Sequence, residues 1–328
     1  MRAVRVTELT GPDGVAVVDI PEPAAGTGVL IEIRAAGISF PDLLLSHGLY
    51  QMKPDVPFTL GIEGAGVVRE APADSGFRAG DEVVAFGAGA AAELMSAPVA
   101  STFRLPAGLG FEGAAALVLN YHTAYFALVR RAGVISGDTV LVHGAAGGVG
   151  TAAIQVARAL GARVIAVVSS EEKEAVARSA GAEHVVRSDG KWRDAVRELT
   201  GGHGVDVVVD PVGGDRLTDS LRSLAPEGRL LVIGFTAGEI PTVKVNRLLF
   251  RNVSVVGAAW GEFIARRPGY LGEVAADLER MVAAGQVRPI IGRTYGFDQV
   301  PDALRDLEQR RAVGKLVLVT RQEGHGKL

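Results

Sequence analysis

Residues 139–150 read Thr-Val-Leu-Val-His-Gly-Ala-Ala-Gly-Gly-Val-Gly. An apolar run of the kind found in buried strands (139–143) enters a glycine-rich turn, and a helical pattern (149–160) leaves it. Strand, glycine turn and helix start, in that order, make a dinucleotide site. Backbone without side chains approaches a pyrophosphate there. The first N–H groups of the helix and the positive end of its dipole then hold the negative charge. Gly147 gives the phosphates access to the backbone, and Gly150 lets the helix pack closely on the strand. The first glycine of a G-x-G-x-x-G pattern is replaced, with Ala145 in its register. Ala146, Gly147, Gly148 and Val149 are the candidate pyrophosphate contacts.

The rhythm on either side of this turn sets the architecture. From Asp138 onward the pattern alternates. Strands are expected at 139–143, 163–168, 182–186, 205–209, 229–233 and 253–258, with helices at 149–160, 171–180, 192–200 and 217–224. Such alternation builds a parallel sheet covered on both faces, and six strands fit a doubly wound Rossmann domain. Residues 1–110 are different: short strand-like segments (29–35, 64–69, 82–86) separated by Gly, Pro and Asp, which suggest an antiparallel barrel or sandwich. Residues 111–132 read as two helical pieces. After Trp260 come two amphipathic helices, 270–284 and 300–311, and a last strand, 315–320. This tail is too short for a domain and is expected to pack back on the first. The predicted organisation is a β-rich domain of residues 1–118 completed by 262–328, and a dinucleotide-binding domain of residues 119–261.

Composition narrows the function. The chain has 328 residues, 48% hydrophobic and 22% charged, which argues against disorder. A net charge of −3 gives no basic field for nucleic acid. No apolar run approaches the roughly 18 residues that span a membrane. The first residues lack the charged head and apolar stretch of a signal peptide, so a cytoplasmic location is expected. There is no cysteine, which excludes disulfides, thiolate nucleophiles and thiolate metal ligands. His47, His122, His143, His184, His203 and His325 show no metal-ligand spacing.

The end of the second strand distinguishes NAD from NADP. An NAD site places Asp or Glu there for the ribose 2′-hydroxyl. Here the run is Val168-Ser169-Ser170-Glu171-Glu172-Lys173. Two hydroxyls and an ammonium suit a 2′-phosphate, so NADPH is the expected cofactor. Ser169 or Ser170 can also cap the helix, and capping is compatible with phosphate binding. Arg187, after the third strand, adds charge near the adenosine end.

With these residues in view, the chain resembles the medium-chain dehydrogenase/reductase superfamily, and within it the zinc-free quinone oxidoreductases of the zeta-crystallin type. The likeness covers nearly the whole chain. It rests on the turn at residues 145–150 and on further blocks: Gly37-Ile-Ser-Phe-Pro-Asp42, Gly48-Leu-Tyr50, Leu60-Gly-Ile-Glu-Gly-Ala-Gly66, Gly80-Asp-Glu-Val83, Asn120-Tyr-His-Thr-Ala-Tyr125 and the closing Gly314-Lys-Leu-Val317. The resemblance implies a GroES-like β-rich catalytic domain beside the Rossmann domain. It also implies cofactor contacts from Ser39, Thr123, Gly234, Phe235 and Lys315. Ser39 stands where this branch often has Asn. Zinc-containing members carry Cys, His and Cys ligands at positions that match Ser39, Ile62 and Leu119. The structural zinc lobe is missing, and Glu63, beside the histidine position, is retained.

Loss of the metal bears on the chemistry. Hydride addition to a plain ketone leaves an alkoxide that needs a Lewis acid or a strong proton donor. A quinone, enone or enoyl thioester delocalises the charge and reacts when positioned. The expected activity is therefore NADPH-dependent, zinc-independent hydride transfer to quinones or other conjugated carbonyl acceptors. Tyr50 is the candidate catalytic residue, because related enoyl reductases place a Tyr at the corresponding Gly-x-Tyr position. Its phenol either orients and protonates the acceptor or only packs. Asp42 is expected to hold a neighbouring loop, and His143 to pack in the core. Two alternatives stay open: an enoyl-thioester or enone reductase on the same frame, and a non-catalytic NADPH-binding protein. The partner is a small molecule, and the apolar edge strand at 252–260 suggests a homodimer.

Overall fold

The computed structural model describes residues 1–320; residues 321–328, His325 among them, lie outside the described residues. The opening segment folds as β1 (Arg2–Val6), β2 (Val15–Asp19), β3 (Val29–Ile38), α1 (Phe40–Ser46), β4 (Phe58–Thr59), β5 (Glu63–Glu70), β6 (Glu82–Phe86), β7 (Leu94–Ala97), β8 (Thr102–Arg104) and α2 (Phe111–Ala115). The middle of the chain gives α3 (Val118–Tyr125), running into a π-helical stretch (Phe126–Ala132), then β9 (Thr139–Val142), α4 (Gly148–Ala159), β10 (Arg163–Val168), α5 (Glu171–Ala180), β11 (His184–Arg187), α6 (Trp192–Leu199), β12 (Val205–Asp210), α7 (Leu217–Ser223), β13 (Leu224–Val232), α8 (Asn246–Leu249), β14 (Ser254–Gly257), α9 (Trp260–Arg266) and α10 (Gly269–Ala283). The chain closes with β15 (Ile291–Tyr295), α11 (Val300–Glu308) and β16 (Lys315–Val319).

The chain divides into two compact units. One comprises Met1–Leu119, Leu271–Ala275 and the described residues from Pro289; the other comprises Asn120–Tyr270 and Ala276–Arg288.

In the first unit the strands form a three-stranded antiparallel sheet, β2-β1-β4, and a seven-stranded sheet in the order β15-β16-β3-β5-β6-β8, with β7 also pairing β3. The alternation at residues 29–33 places Val29, Ile31 and Ile33 in a fully buried core with Val4, Val6, Met95, Leu304 and Leu318. The antiparallel pairing of β16 with β3 matches Leu316 to Ile38. One step on, Lys315 comes beside Ser39. β5 flanks β3 on its other side, with Gly64 opposite Ala36. Three neighbouring strands therefore bring Lys315, Ser39 and Glu63 to one place.

The second unit is a six-stranded parallel sheet in the order β11-β10-β9-β12-β13-β14. Numbered from β9, this is 3-2-1-4-5-6, the Rossmann order. Every residue of β9 is buried, as a strand covered on both faces requires. α4 is buried over most of its length, from Gly150 to Ala157, and five of those residues are small: Gly150, Thr151, Ala152, Ala153 and Ala157. α5 starts at Ser170, whose hydroxyl accepts from the Lys173 N–H, and stops at Gly181, in the left-handed region at φ +103°.

Several local expectations are corrected. Residues 40–46 form a helix inside the stretch read as strands only. The helix at 260–266 and the strand at 291–295 were not foreseen. The second helical piece within 111–132 begins at Val118 and changes to π-helix at Phe126. β13 begins at Leu224 rather than 229. Among the described residues no helix is long and apolar enough to cross a membrane.

Candidate active site

The glycine turn lies at the carboxyl end of β9, where the strand order reverses between β9 and β12. In open parallel sheets this is the position at which ligands bind. Gly144 leaves the strand with φ +57° and is exposed. Its carbonyl accepts the Gly147 N–H at 3.0 Å, and the Gly147 carbonyl in turn accepts Thr151 N–H at 2.8 Å. Gly147 is the N-cap of α4, so the N–H groups of Gly148, Val149 and Gly150 have no acceptor within the helix. Ala146 is buried, and Gly147, Gly148 and Val149 are half-buried.

The glycines serve different ends. A Cβ on Gly150 would sit 2.2 Å from the Gly144 carbonyl oxygen and 2.7 Å from Ala145 Cα, so this position is closed by backbone. At Gly147 the nearest atom to an added Cβ is 3.4 Å away, so its own unit leaves that side open. At Gly148 the Cβ would meet the Asn120 amide at 2.2 Å. Asn120, on α3, therefore lies against the turn, which was not read from the sequence. α3 is held beside α4 by the buried Tyr121, whose hydroxyl donates to Gln155 at 2.9 Å. Thr123, on the same helix, is half-buried.

At the end of β10 the structure brings Ser169, Lys173 and Arg187 near one another. Lys173 Nζ donates to Ser169 Oγ at 3.2 Å. Arg187 is the register partner of Val168, so it stands next to Ser169 across the strand pair. Its guanidinium lies 3.3 Å from Glu174, which also binds Arg178 at 2.8 Å. Glu171 and Glu172 are exposed.

Two loops complete this end of the sheet. After β12, the buried Asp210 carboxylate accepts the N–H groups of Val212 and Gly213, each at 2.9 Å. Burial raises its pKa, against the lowering effect of those two bonds. Pro211 and Val212 then border Gly144. After β13, Gly234 and Phe235 are half-buried, and Thr236 and Ala237 donate to the carbonyls of Pro211 and Val212 at 3.2 and 2.9 Å. The run Asp210-Pro-Val-Gly-Gly214, a carboxylate followed by turn formers at a strand end, was the available signal for this loop. His143 is fully buried, 2.8 Å from Ser220 Oγ and edge-on to Trp192. Burial pushes its pKa down to about 3, so it is a neutral core residue.

The first unit holds a different kind of centre. Lys315, Glu63 and Ser39 are 3%, 0% and 6% exposed. The Lys315 ammonium donates to Ser39 Oγ and to Glu63 Oε1. The other Glu63 oxygen accepts the Leu119 N–H at 2.7 Å. Gly37 makes room: a Cβ there would lie 2.6 Å from Glu63 Oε1 and 2.7 Å from Lys315 Cε. Next to the group, Asp42 accepts the Ser39 N–H at 2.8 Å and the Gly61 N–H at 2.9 Å, tying α1 to the strand that carries Glu63. Burial raises its pKa to about 6, partly offset by those two bonds and by the Lys315 charge. Tyr50 follows α1 and packs, half-buried, against this unit's core.

The three positions that the resemblance sets against zinc ligands do not fit a metal. Ile62 and Leu119 offer no ligating side-chain atom, and the Ser39 oxygen is engaged by an ammonium. Among the described residues no group of three or more His, Cys, Asp or Glu is placed to hold a metal ion.

Comparison with known proteins agrees with both units. Residues 148–276 match the family described as zinc-binding dehydrogenase, and residues 25–126 match the alcohol dehydrogenase GroES-like domain. A rat protein named quinone oxidoreductase-like protein 2 is 38% identical over 321 residues, covering 97% of this chain and 91% of its own. A probable oxidoreductase from Mycobacterium abscessus superposes with a TM-score of 0.90 at 46% identity, over 98% of this chain and 99% of its own. A mycobacterial protein solved in complex with NADPH gives 0.90 at 36% identity, over 98% and 100%. The chain belongs to the medium-chain dehydrogenase/reductase superfamily, in its quinone oxidoreductase branch, and is an oxidoreductase.

Proposed function

We propose that this chain is an NADPH-dependent, zinc-independent reductase of conjugated carbonyl acceptors, with quinones as the favoured class. The observation that carries the reading is the donor set at Ser39, Ile62 and Leu119, which cannot ligate a metal. The name of the rat relative and the NADPH complex of the mycobacterial protein support it.

NADPH, when bound, supplies the hydride. The chain's own residues bind and orient. The N–H groups opening α4, at Gly148 and Val149, hold the pyrophosphate with the helix dipole behind them. Ala146 and Gly147 line the approach. Ser169, Ser170, Lys173 and Arg187 form the 2′-phosphate site, where charge-assisted bonds favour the extra phosphate. Thr123, Gly234 and Phe235 serve the nicotinamide end. The protein presents no Lewis acid at the metal position, so it does not stabilise a localised alkoxide. Acceptors that spread incoming charge over a conjugated system react, and simple ketones do not. Tyr50 acts at the acceptor, its phenol orienting the carbonyl and donating to it.

NADPH oxidation with a panel of quinones, enones, enoyl thioesters and simple ketones tests this. Quinones are expected to turn over fastest and ketones not at all; efficient isopropanol oxidation would overturn the substrate class. Faster turnover of enoyl thioesters than of any quinone would move the assignment to an enoyl reductase. Binding of NADPH without reduction of any acceptor would leave a non-catalytic binding protein. Tyr50→Phe should lower enone turnover by about 10²-fold while leaving NADPH affinity unchanged.

Assembly belongs to the same proposal. β14 is the edge of the parallel sheet, and Val245, Leu249 and Phe250 just before it are 75%, 69% and 79% exposed. A second copy offering the same edge by two-fold symmetry would cover these side chains. Light scattering should report a dimer for the parent chain and a smaller or insoluble species for Val255→Lys; a monomeric parent removes the proposal.

A further inference from the structure

We infer that the Lys315 ammonium takes over the place and the organising role of the metal: it binds Ser39 and Glu63 together, excludes a divalent cation, and makes the Ser39 hydroxyl an obligate hydrogen-bond donor. Lys315 is then a positioning residue that acts through Ser39, rather than a contact to the cofactor as the resemblance implied.

Three observations support this. The first is convergence. The positions that the resemblance sets against metal ligands are Ser39, Ile62 and Leu119. Lys315 binds Ser39 directly, binds Glu63 next to Ile62, and through Glu63 reaches the Leu119 N–H. One cation thus gathers the same three chain segments that a metal would. The second is burial. Lys315 is 3% exposed and Glu63 0%. A buried ion pair persists only when its charges and hydrogen-bonding groups are satisfied together, and here both Glu63 oxygens have donors. A divalent ion would have to share this volume with a like charge, in a place where little water screens the repulsion. The third is polarity. An ammonium has donors only, so the bond between Lys315 and Ser39 must be accepted by Ser39 Oγ. The hydroxyl hydrogen is directed elsewhere, and the ammonium bonded to its oxygen strengthens it as a donor. Backbone register fixes the arrangement, because β16 and β3 place Lys315 and Ser39 side by side, and Gly37 leaves the space.

The test uses the full chain and four proteins: parent, Lys315→Met, Lys315→Met/Glu63→Gln and Ser39→Ala. Melting temperature, NADPH affinity by titration and quinone turnover are measured for each. Lys315→Met strands a buried carboxylate and should lower Tm by about 5–10 °C. The double variant removes the stranded charge and should regain most of that loss. Turnover should fall about tenfold or more in Lys315→Met, in the double variant and in Ser39→Ala, because each loses the oriented donor. NADPH affinity should stay within about threefold of the parent in the three variants, and Ser39→Ala, which leaves one Lys315 donor unmet but the ion pair intact, should lose less Tm than Lys315→Met. A tenfold loss of NADPH affinity in Lys315→Met at unchanged Tm would make Lys315 a cofactor contact and overturn the inference. A double variant no more stable than Lys315→Met would overturn it as well, as would full turnover in Ser39→Ala. If Lys315→Met does not fold, the double variant still reads both stability and turnover. The turnover arm rests on the reductase reading. A parent that reduces no acceptor would defeat that reading alone, while the Tm cycle and the NADPH titration still decide the place of Lys315.

Discussion

The two units solve the problem of holding polar groups in opposite ways. In the parallel-sheet unit the site is made of backbone: glycine N–H groups at a helix start, strand-end carbonyls, and Ser169 and Lys173 at the rim. In the β-rich unit it is made of buried side-chain charge: Lys315, Glu63 and Asp42, each nearly or wholly inside. A backbone site is insensitive to pH and intolerant of added atoms. A charged site tolerates atoms of the right shape and depends on every partner keeping its charge.

The largest expected effect separates two glycines of the backbone site. Gly150→Ala places a methyl group 2.2 Å from the Gly144 carbonyl oxygen. Backbone cannot swing aside, so the turn and α4 must part, at a loss of about 3 kcal/mol or more. NADPH affinity should fall with the turn. Gly147→Ala meets its nearest atom at 3.4 Å, so stability should stay within about 0.5 kcal/mol of the parent. On the proposed pyrophosphate site its methyl group would face the phosphates, and NADPH affinity should fall about tenfold. Denaturant melts and NADPH titration read both variants; equal stability losses at the two positions would dissolve the distinction between packing glycine and ligand glycine.

A smaller effect contrasts the units by the sign of their pH dependence. Asp42 titrates at about 6 in the fold because burial raises it. Its folded pKa lies above the unfolded one, so its contribution is complete below about pH 4 and is lost as pH rises through about 6. His143 titrates at about 3 because burial lowers it. Its contribution is complete above about pH 6.5 and is lost as pH falls toward 3. Between pH 4.5 and 7.5 the parent should therefore lose about 2 kcal/mol relative to Asp42→Asn and gain about 3 kcal/mol relative to His143→Gln. Urea melts of the three proteins across that range give the two slopes. Slopes of the same sign would show that burial does not govern both groups.

What was legible in the sequence follows the same division. The Rossmann order could be expected from the turn at 144–150 and the alternation after it, because periodicity and glycine spacing are local signals. A serine cap at 169 or 170, found at Ser170, and His143 as a core residue were read for the same reason. The pairing of Lys315 with Ser39 and Glu63 spans 276 and 252 residues. Nothing local marks it; only the pairing of β16, β3 and β5 creates it. Asn120 against Gly148 was missed for the same reason. The helix at 40–46 was hidden because Phe40-Pro-Asp-Leu-Leu-Leu-Ser46 is too short to show a period, although Pro41 in its first turn and Asp42 bonding back to Ser39 are start signals.

The smallest expected effect lies at the rim of the backbone site, the one part of it built from charge. Lys173 Nζ rests on Ser169 Oγ at the end of β10, with Arg187 on the neighbouring strand. Both cations are partly solvated, so their attraction for a phosphate is screened and each acts as one contact among several. Arg187 is also shared with Glu174, whereas Lys173 bonds Ser169 directly. At the proposed 2′-phosphate site, Lys173→Glu would replace an attraction with a repulsion and leave the ribose hydroxyl of NADH unopposed. NADPH affinity should drop by about tenfold to a hundredfold, equivalent to roughly 1.5–3 kcal/mol, with NADH affinity unchanged. The loss should shrink as salt is raised, because the contact is exposed. Titration of parent and variant with both cofactors at two salt concentrations reads all of this. Equal affinity of the parent for NADPH and NADH would take the 2′-phosphate site away from this strand end, whatever the variant does.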